Sequence, residues 1–334
     1  MRSGIANCDG ESQEDDMAGK MAAGEQQAGN SALQAGGMTQ DQIEEFEEEG
    51  FLILRQMLPR EALQPLIDEL TQKVDGAITE AIQQGQLDAK DTFDDAPFAS
   101  RLALASEACR DRNWLWENYF SRGKPISAGM FTLRTSPLLL DATESLIGPE
   151  ILAHPQFALR PKMPDLDLMD IPWHQDLAYL IPAEAGETLV VNFWIPLVEA
   201  TEQNGCMQVI PGSHREGLIP HDLWLETPGH KGARGIANAD LPDSSIVTCE
   251  VDAGDVLLTM ERLVHRSIPN RSQTVRWSVD TRYNRIGLPT GRSKVPGFVA
   301  RSRKNPDRVA RSHHDWIQNL AEAGLDRWLQ PLQN

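Results

Sequence analysis

The chain is short of cysteine, of basic residues and of long apolar runs, and each shortage removes a class of explanation. Its four cysteines (Cys8, Cys109, Cys206, Cys249) lie far apart, with no CxxC pair. That spacing excludes a disulfide frame and a cysteine-based zinc site, and it reads as free thiols in a reducing compartment. No apolar stretch approaches the ~18 residues that a membrane-crossing helix needs. The opening MRSGIANCDGESQEDDMAGK lacks the apolar core of a secretory leader. The closing PLQN carries neither a peroxisomal tripeptide nor a prenylation box. A cytoplasmic location is the expectation. Lys and Arg number 31 against 49 Asp and Glu, a net charge of -18. A surface of that sign repels nucleic acid and anionic lipid, so neither is an expected partner.

What is present divides by texture. Residues 1–38 are rich in Gly, Ala, Gln, Ser and Met and poor in large apolar side chains. Such a segment cannot bury enough apolar surface to offset its ordering entropy, so a disordered tail is expected. Residues 39–334 are read as one domain, with a helical part over 39–150, a β-rich core over about 150–285 and a C-terminal extension over 286–334. In TQDQIEEFEEEGFLIL, Thr39 and Gln42 form a possible capping box, Phe46 faces inward, Gly50 stops the helix and residues 51–54 make a strand. Helices are also expected over 59–85, 100–121 and 137–147. From about residue 150, short β-rich runs alternate with turn residues: ILAHPQFAL, TLVVNFWIPL, GCMQVIPG, SSIVTCEV, GDVLLTM and TVRWSVDTRY. Helices followed by many short strands point to an α+β fold, a jelly-roll core buttressed by N-terminal helices.

DIPWHQDLAYL places His174 and Asp176 two residues apart. On an extended strand, that spacing turns both side chains to one face. A third ligand is needed, and His265, in GDVLLTMERLVHRSIPNRS at the end of a strand, is the best candidate. Two His and one carboxylate form the facial set of non-haem Fe(II) oxygenases. An HxD alone occurs by chance in many proteins, and His265 alone reads as a surface or capping histidine; the following strand is what joins them. In VRWSVDTRYN, Arg276, Ser278, Asp280 and Arg282 share one face and Val275, Trp277, Val279, Thr281 and Tyr283 the other. A buried Arg is costly unless it meets an anion, and a guanidinium suits a carboxylate. In TLVVNFWIPL, Leu189, Val191, Phe193, Ile195 and Leu197 form one face, while Thr188, Val190, Asn192 and Trp194 face the presumed pocket.

These motifs, together with NGCMQVIPGSHREG, resemble the phytanoyl-CoA dioxygenase family from about residue 40 to 285. The resemblance implies a double-stranded β-helix (cupin-like) fold and an oxidoreductase using Fe(II), 2-oxoglutarate and O2. It implies His174, Asp176 and His265 as iron ligands, Arg276 and Ser278 as holders of the distal carboxylate of 2-oxoglutarate, and Gln175 and Trp194 as further co-substrate pocket residues. Retention of an acid at Asp176 points to hydroxylase-type chemistry rather than halogenation. The implied substrate is a small molecule; the negative charge and the absent peroxisomal tripeptide speak against a CoA thioester. The competing reading is a non-catalytic jelly roll that binds metal or ligand. Trp173 and Tyr179 are pocket walls or core, His214 a loop anchor, and the SHHD of 312–315 exposed. The basic run 292–311 either meets an anionic substrate or, the preferred reading, pairs with the protein's own acids.

Overall fold

Local chemistry sets the ends of the first elements. Helix α1 (Gln40–Glu49) opens on a reciprocal capping box between Thr39 and Gln42, and Gly50, at φ 78°, closes it. The chain passes into β1 (Phe51–Leu54). The computed structural model describes residues 37–121, 126–166, 170–181, 185, 189–223 and 234–325. The tail expected over 1–38 therefore lies outside the described residues, apart from Gly37 and Met38. Met38 is buried, and its amide donates to Ser145 Oγ.

Helix α2 (Arg60–Gln83) follows Pro59 and buries Leu63, Leu66, Leu70, Val74 and Ala77, a stripe at three- and four-residue spacing. Helix α3 (Phe98–Ala108) is shorter than the helix expected over 100–121. The chain turns extended at Cys109, because the amides of Arg110 and Asp111 bond to the backbone and side chain of Gln86 instead of continuing the ladder. A single π turn, Trp116–Phe120, follows. Helices α4 (Ala128–Arg134) and α5 (Pro137–Ile147) complete the N-terminal layer.

The remaining strands are β2 (Ile151–Ala153), β3 (Ala158–Lys162), β4 (Ile171–His174), β5 (Val191–Pro196), β6 (Met207–Val209), β7 (Asp222–Leu223), β8 (Arg234–Gly235), β9 (Val247–Cys249), β10 (Val256–Met260), β11 (His265–Ser267), β12 (Arg276–Arg285) and β13 (Phe298–Arg301); helix α6 is His313–Glu322. The run expected over 151–159 splits into β2 and β3. The larger sheet runs β1-β10-β5-β12-β2-β13, and β3 pairs the first half of β12. The smaller sheet is β4-β11-β6-β9. Every pairing in both sheets is antiparallel, as in a jelly roll.

The alternation read from the sequence decides which face meets what. Val191, Phe193, Ile195, Val275, Trp277, Val279 and Tyr283 pack in one cluster with Leu63, Leu66 and Leu70 of α2. Each such side chain contributes about 1.5–3 kcal/mol of burial energy. The alternate residues Asn192, Trp194, Arg276, Asp280 and Arg282 line a cavity. In the basic C-terminal run, Arg301 meets Asp141 and Glu144, and Arg303 meets Glu144. Ser312 and Asp315 form the capping box of α6. No helix among the described residues is long and apolar enough to cross a membrane.

Candidate metal and co-substrate site

His174 ends β4 and His265 begins β11, and the two are register partners across that ladder. The sequence reading put His174 and Asp176 on one strand face and His265 at a strand end; the structure differs on both. After an extended Gln175, Asp176 opens a one-turn 3-10 helix, Asp176–Tyr179. That turn is held by Leu177 N donating to Glu261 O and Ala178 N donating to Gln175 O. The turn still brings the carboxylate back toward His174, with Nε2 and Oδ1 3.8 Å apart. One donor atom from each of His174, Asp176 and His265 lies within 4.8 Å of the others, and all three residues are buried.

The tautomers follow from the backbone. Nδ1 of His174 lies 2.9 Å from Pro172 O, and Nδ1 of His265 lies 2.9 Å from Leu263 O. A carbonyl only accepts, so each Nδ1 carries the proton and each Nε2 keeps its lone pair. Burial and the neighbouring His265 lower the His174 imidazole to about 3, so it is neutral near pH 7. Burial alone would push the Asp176 carboxyl up. The Arg282 guanidinium, with His265 and His174, outweighs it and holds the group well below the usual carboxylate range. Arg282 Nη2 donates to Oδ1 at 2.7 Å and to Oδ2 at 2.8 Å, and Nε donates to Oδ2 at 3.2 Å. Two imidazoles and one ionised carboxylate form a donor set that fits a ferrous ion.

The cavity continues to Arg276, which is buried. Its Nε donates to Gly205 O at 3.1 Å, Nη1 donates to Ser278 Oγ, and the guanidinium lies 5.1 Å from the Trp194 ring centroid. No carboxylate among the described residues is within ion-pair distance of it. Burial lowers it to about 10, which leaves it charged. A guanidinium so placed fits one carboxylate of a keto-diacid.

Two residues were missed by the sequence reading. Lys162 lines the same end, with Nζ 2.8 Å from Asp170 Oδ1 and 3.0 Å from Ser267 Oγ. Burial and Arg276 lower its ammonium to about 7, and Asp170 works against that shift. Ser267 also lines the cavity, and period two from His265 would have found it.

The other sequence-derived residues separate. Trp194 lines the cavity. Ser278 touches Arg276 but is not among the lining residues. Gln175 points elsewhere: its amide nitrogen donates to Gly217 O and Arg262 O, and its oxygen accepts from Ile219 N. Trp173 belongs to a small core with Ile210, Ile236 and Val264. Tyr179 stands edge-on to His174 at 5.3 Å. His214 anchors a loop through Nε2, 3.1 Å from Glu47 O.

The fold and donor set define a jelly-roll protein with a two-histidine, one-carboxylate site. Residues 46–278 match the family model for phytanoyl-CoA dioxygenase (PhyH), and the chain belongs to that family. It is similar to the peroxisomal phytanoyl-CoA dioxygenase of Rattus norvegicus, at 31% identity over 157 residues, covering 46% of this chain and 45% of that protein. The chain thus spans about half the length of that relative. It is also similar to 1-deoxypentalenic acid 11-beta-hydroxylase of Streptomyces arenae, at 28% identity over 251 residues, covering 71% of this chain and 78% of that protein. A solved structure of a non-heme monooxygenase, ThoJ in its apo form, shares the fold at TM-score 0.51 and 20% identity, covering 87% of this chain and 99% of that one.

Proposed function

We propose that the protein is an Fe(II)- and 2-oxoglutarate-dependent dioxygenase that oxidises an unactivated C–H bond of a small molecule. The observation that carries this is the convergence of His174, Asp176 and His265 in one cavity with an uncompensated Arg276. The family membership and the likeness to a bacterial hydroxylase support it.

Each residue then has a role. His174 and His265 offer Nε2 and Asp176 a carboxylate oxygen to the metal. Arg276, braced by Ser278 and Gly205 O, holds the distal carboxylate of 2-oxoglutarate, and Trp194 walls that pocket. Lys162 and Ser267 add donors at the same end. Iron and co-substrate together supply the oxidising chemistry: oxidative decarboxylation to succinate and CO2, coupled to oxidation of the substrate by O2. The chain's contribution is to fix the ligands, orient the two substrates and keep water out. A cytoplasmic location accords with the scattered free cysteines, of which Cys109, Cys206 and Cys249 are buried thiols.

Succinate release with Fe(II), ascorbate and 2-oxoglutarate tests the reading. His174→Ala and Asp176→Ala should each abolish it. Arg276→Ala should raise the 2-oxoglutarate requirement sharply, since removing one partner of a buried charge pair costs about 2–5 kcal/mol. Normal succinate formation by either ligand variant would defeat the ligand assignment, and no succinate from the unaltered chain would leave a non-catalytic binding protein.

A further inference from the structure

One side of the cavity is more open than the rest. Among its lining residues, Trp116, Phe120, Ser121, Leu159, Arg160 and Ile171 are half-buried, whereas the others are buried. They lie on β3, on the start of β4 and on the π turn. Arg160 stands here with its side chain 43% exposed. Its Nε donates to Asp280 Oδ2 at 2.9 Å, which fixes the plane of the guanidinium. The two Nη groups have no hydrogen-bond partner among the described residues. Asp280 and burial act oppositely on Arg160, and the carboxylate prevails, so the group is firmly charged.

Charge balance points the same way. Arg160, Lys162, Arg276 and Arg282 line the cavity, against Asp176 and Asp280, with Asp170 paired to Lys162. A divalent metal and dianionic 2-oxoglutarate cancel each other. Counting Lys162 as charged, one positive charge is left over once both are bound, and the Nη groups of Arg160 are engaged neither by the described residues nor, on this reading, by the co-substrate. Around them stand Trp116, Phe120, Leu159 and Ile171, an apolar wall.

We propose that Arg160 anchors the substrate, and that the substrate is an apolar molecule carrying one carboxylate. The carboxylate binds the Nη edge of Arg160 and the apolar body lies along Trp116 and Phe120, which turns a C–H bond toward the metal ligands. Arg160 is a specificity-determining residue, and this inference rests on the oxygenase reading of the site.

The test uses the full chain loaded with Zn(II) and 2-oxoglutarate, so that no turnover occurs. Octanoate, decanoate, cyclohexanecarboxylate and 1-adamantanecarboxylate are each titrated beside their methyl esters by calorimetry. At least one acid should bind about tenfold or more tightly than its ester, the margin of a charge-assisted hydrogen bond. R160Q should erase that preference, R160K should keep part of it, and 2-oxoglutarate affinity in R160Q should match that of the unaltered chain. Equal binding of every acid and its ester, a preference surviving in R160Q, or loss of 2-oxoglutarate affinity in R160Q would overturn the proposal. Failure of the unaltered chain to bind 2-oxoglutarate is a separate result and counts against the oxygenase reading itself.

Discussion

Asp176 has two neighbours with different demands on it. The two imidazoles and Arg282 all line the cavity, and Arg282 donates to both carboxylate oxygens. Arg282 therefore acts as the outer support that keeps Asp176 ionised and fixed in direction. Arg282→Leu should weaken Zn(II) or Co(II) binding by about 10–100-fold, the range for loss of a supporting partner; an unchanged metal titration would contradict this. His174, Asp176, His265 and Arg276 lie around one cavity; the spacing of the first two and the alternation around Arg276 were legible because they are local, whereas His265, far along the chain, came from its strand context and the family motif. Period two also put Arg282 on the cavity face, but its pairing with Asp176 was not legible. The two are 106 residues apart, and only the meeting of the two sheets joins them. Gln175 misled for the converse reason. It sits between two ligands in sequence, yet its backbone turns its amide toward the carbonyls of Gly217 and Arg262.

At the scale of elements, the turn before β6 does more than reverse the chain. Gly205 has φ 91°, and a Cβ there would lie 2.7 Å from Ile268 O and 2.8 Å from Lys162 Cδ. Its own carbonyl accepts from Arg276 Nε. Gly205→Ala combines a strained backbone with a push on two cavity cations. A stability loss of about 1 kcal/mol or more is expected, with a fall in 2-oxoglutarate affinity that exceeds any change in metal affinity. Melting curves and separate metal and co-substrate titrations check this. Parallel losses of both affinities would point to general unfolding instead. Strand alternation was readable in β5 and β12, where each face is buried against a different layer. The break after α3 was not, because the Arg110 and Asp111 amides are claimed by Gln86 of a distant turn.

For the molecule as a whole, acid is the condition to watch. His154 is fully buried; its Nδ1 accepts from Gln156 N and its Nε2 lies 2.8 Å from Thr290 O, so it is held neutral. Burial lowers it to about 3. In the unfolded chain an imidazole titrates near ~6.5. Below that pH the unfolded state takes up a proton that the folded state refuses, so stability falls as pH falls. This one group contributes a loss of about 1.4 kcal/mol per pH unit between those two values. His154→Gln should flatten the melting temperature against pH between 6 and 4, and an equally steep curve would remove His154 from the account. The layered α+β architecture followed from the order of helices and strands. The balance of charge inside the cavity did not, since it depends on which acids the fold sets beside which bases.

Trp277 lies outside the cavity lining, yet it stacks on Phe98 of α3 at 5.0 Å and meets the edge of Phe120 at 5.6 Å. Phe120 faces the cavity, and Trp277 follows Arg276 on the same strand. A guest that settles against Phe120 must alter the surroundings of an indole on the far side of the sheet. Binding is therefore expected to change the chain's tryptophan emission, and emission unchanged at saturation would contradict a guest seated there.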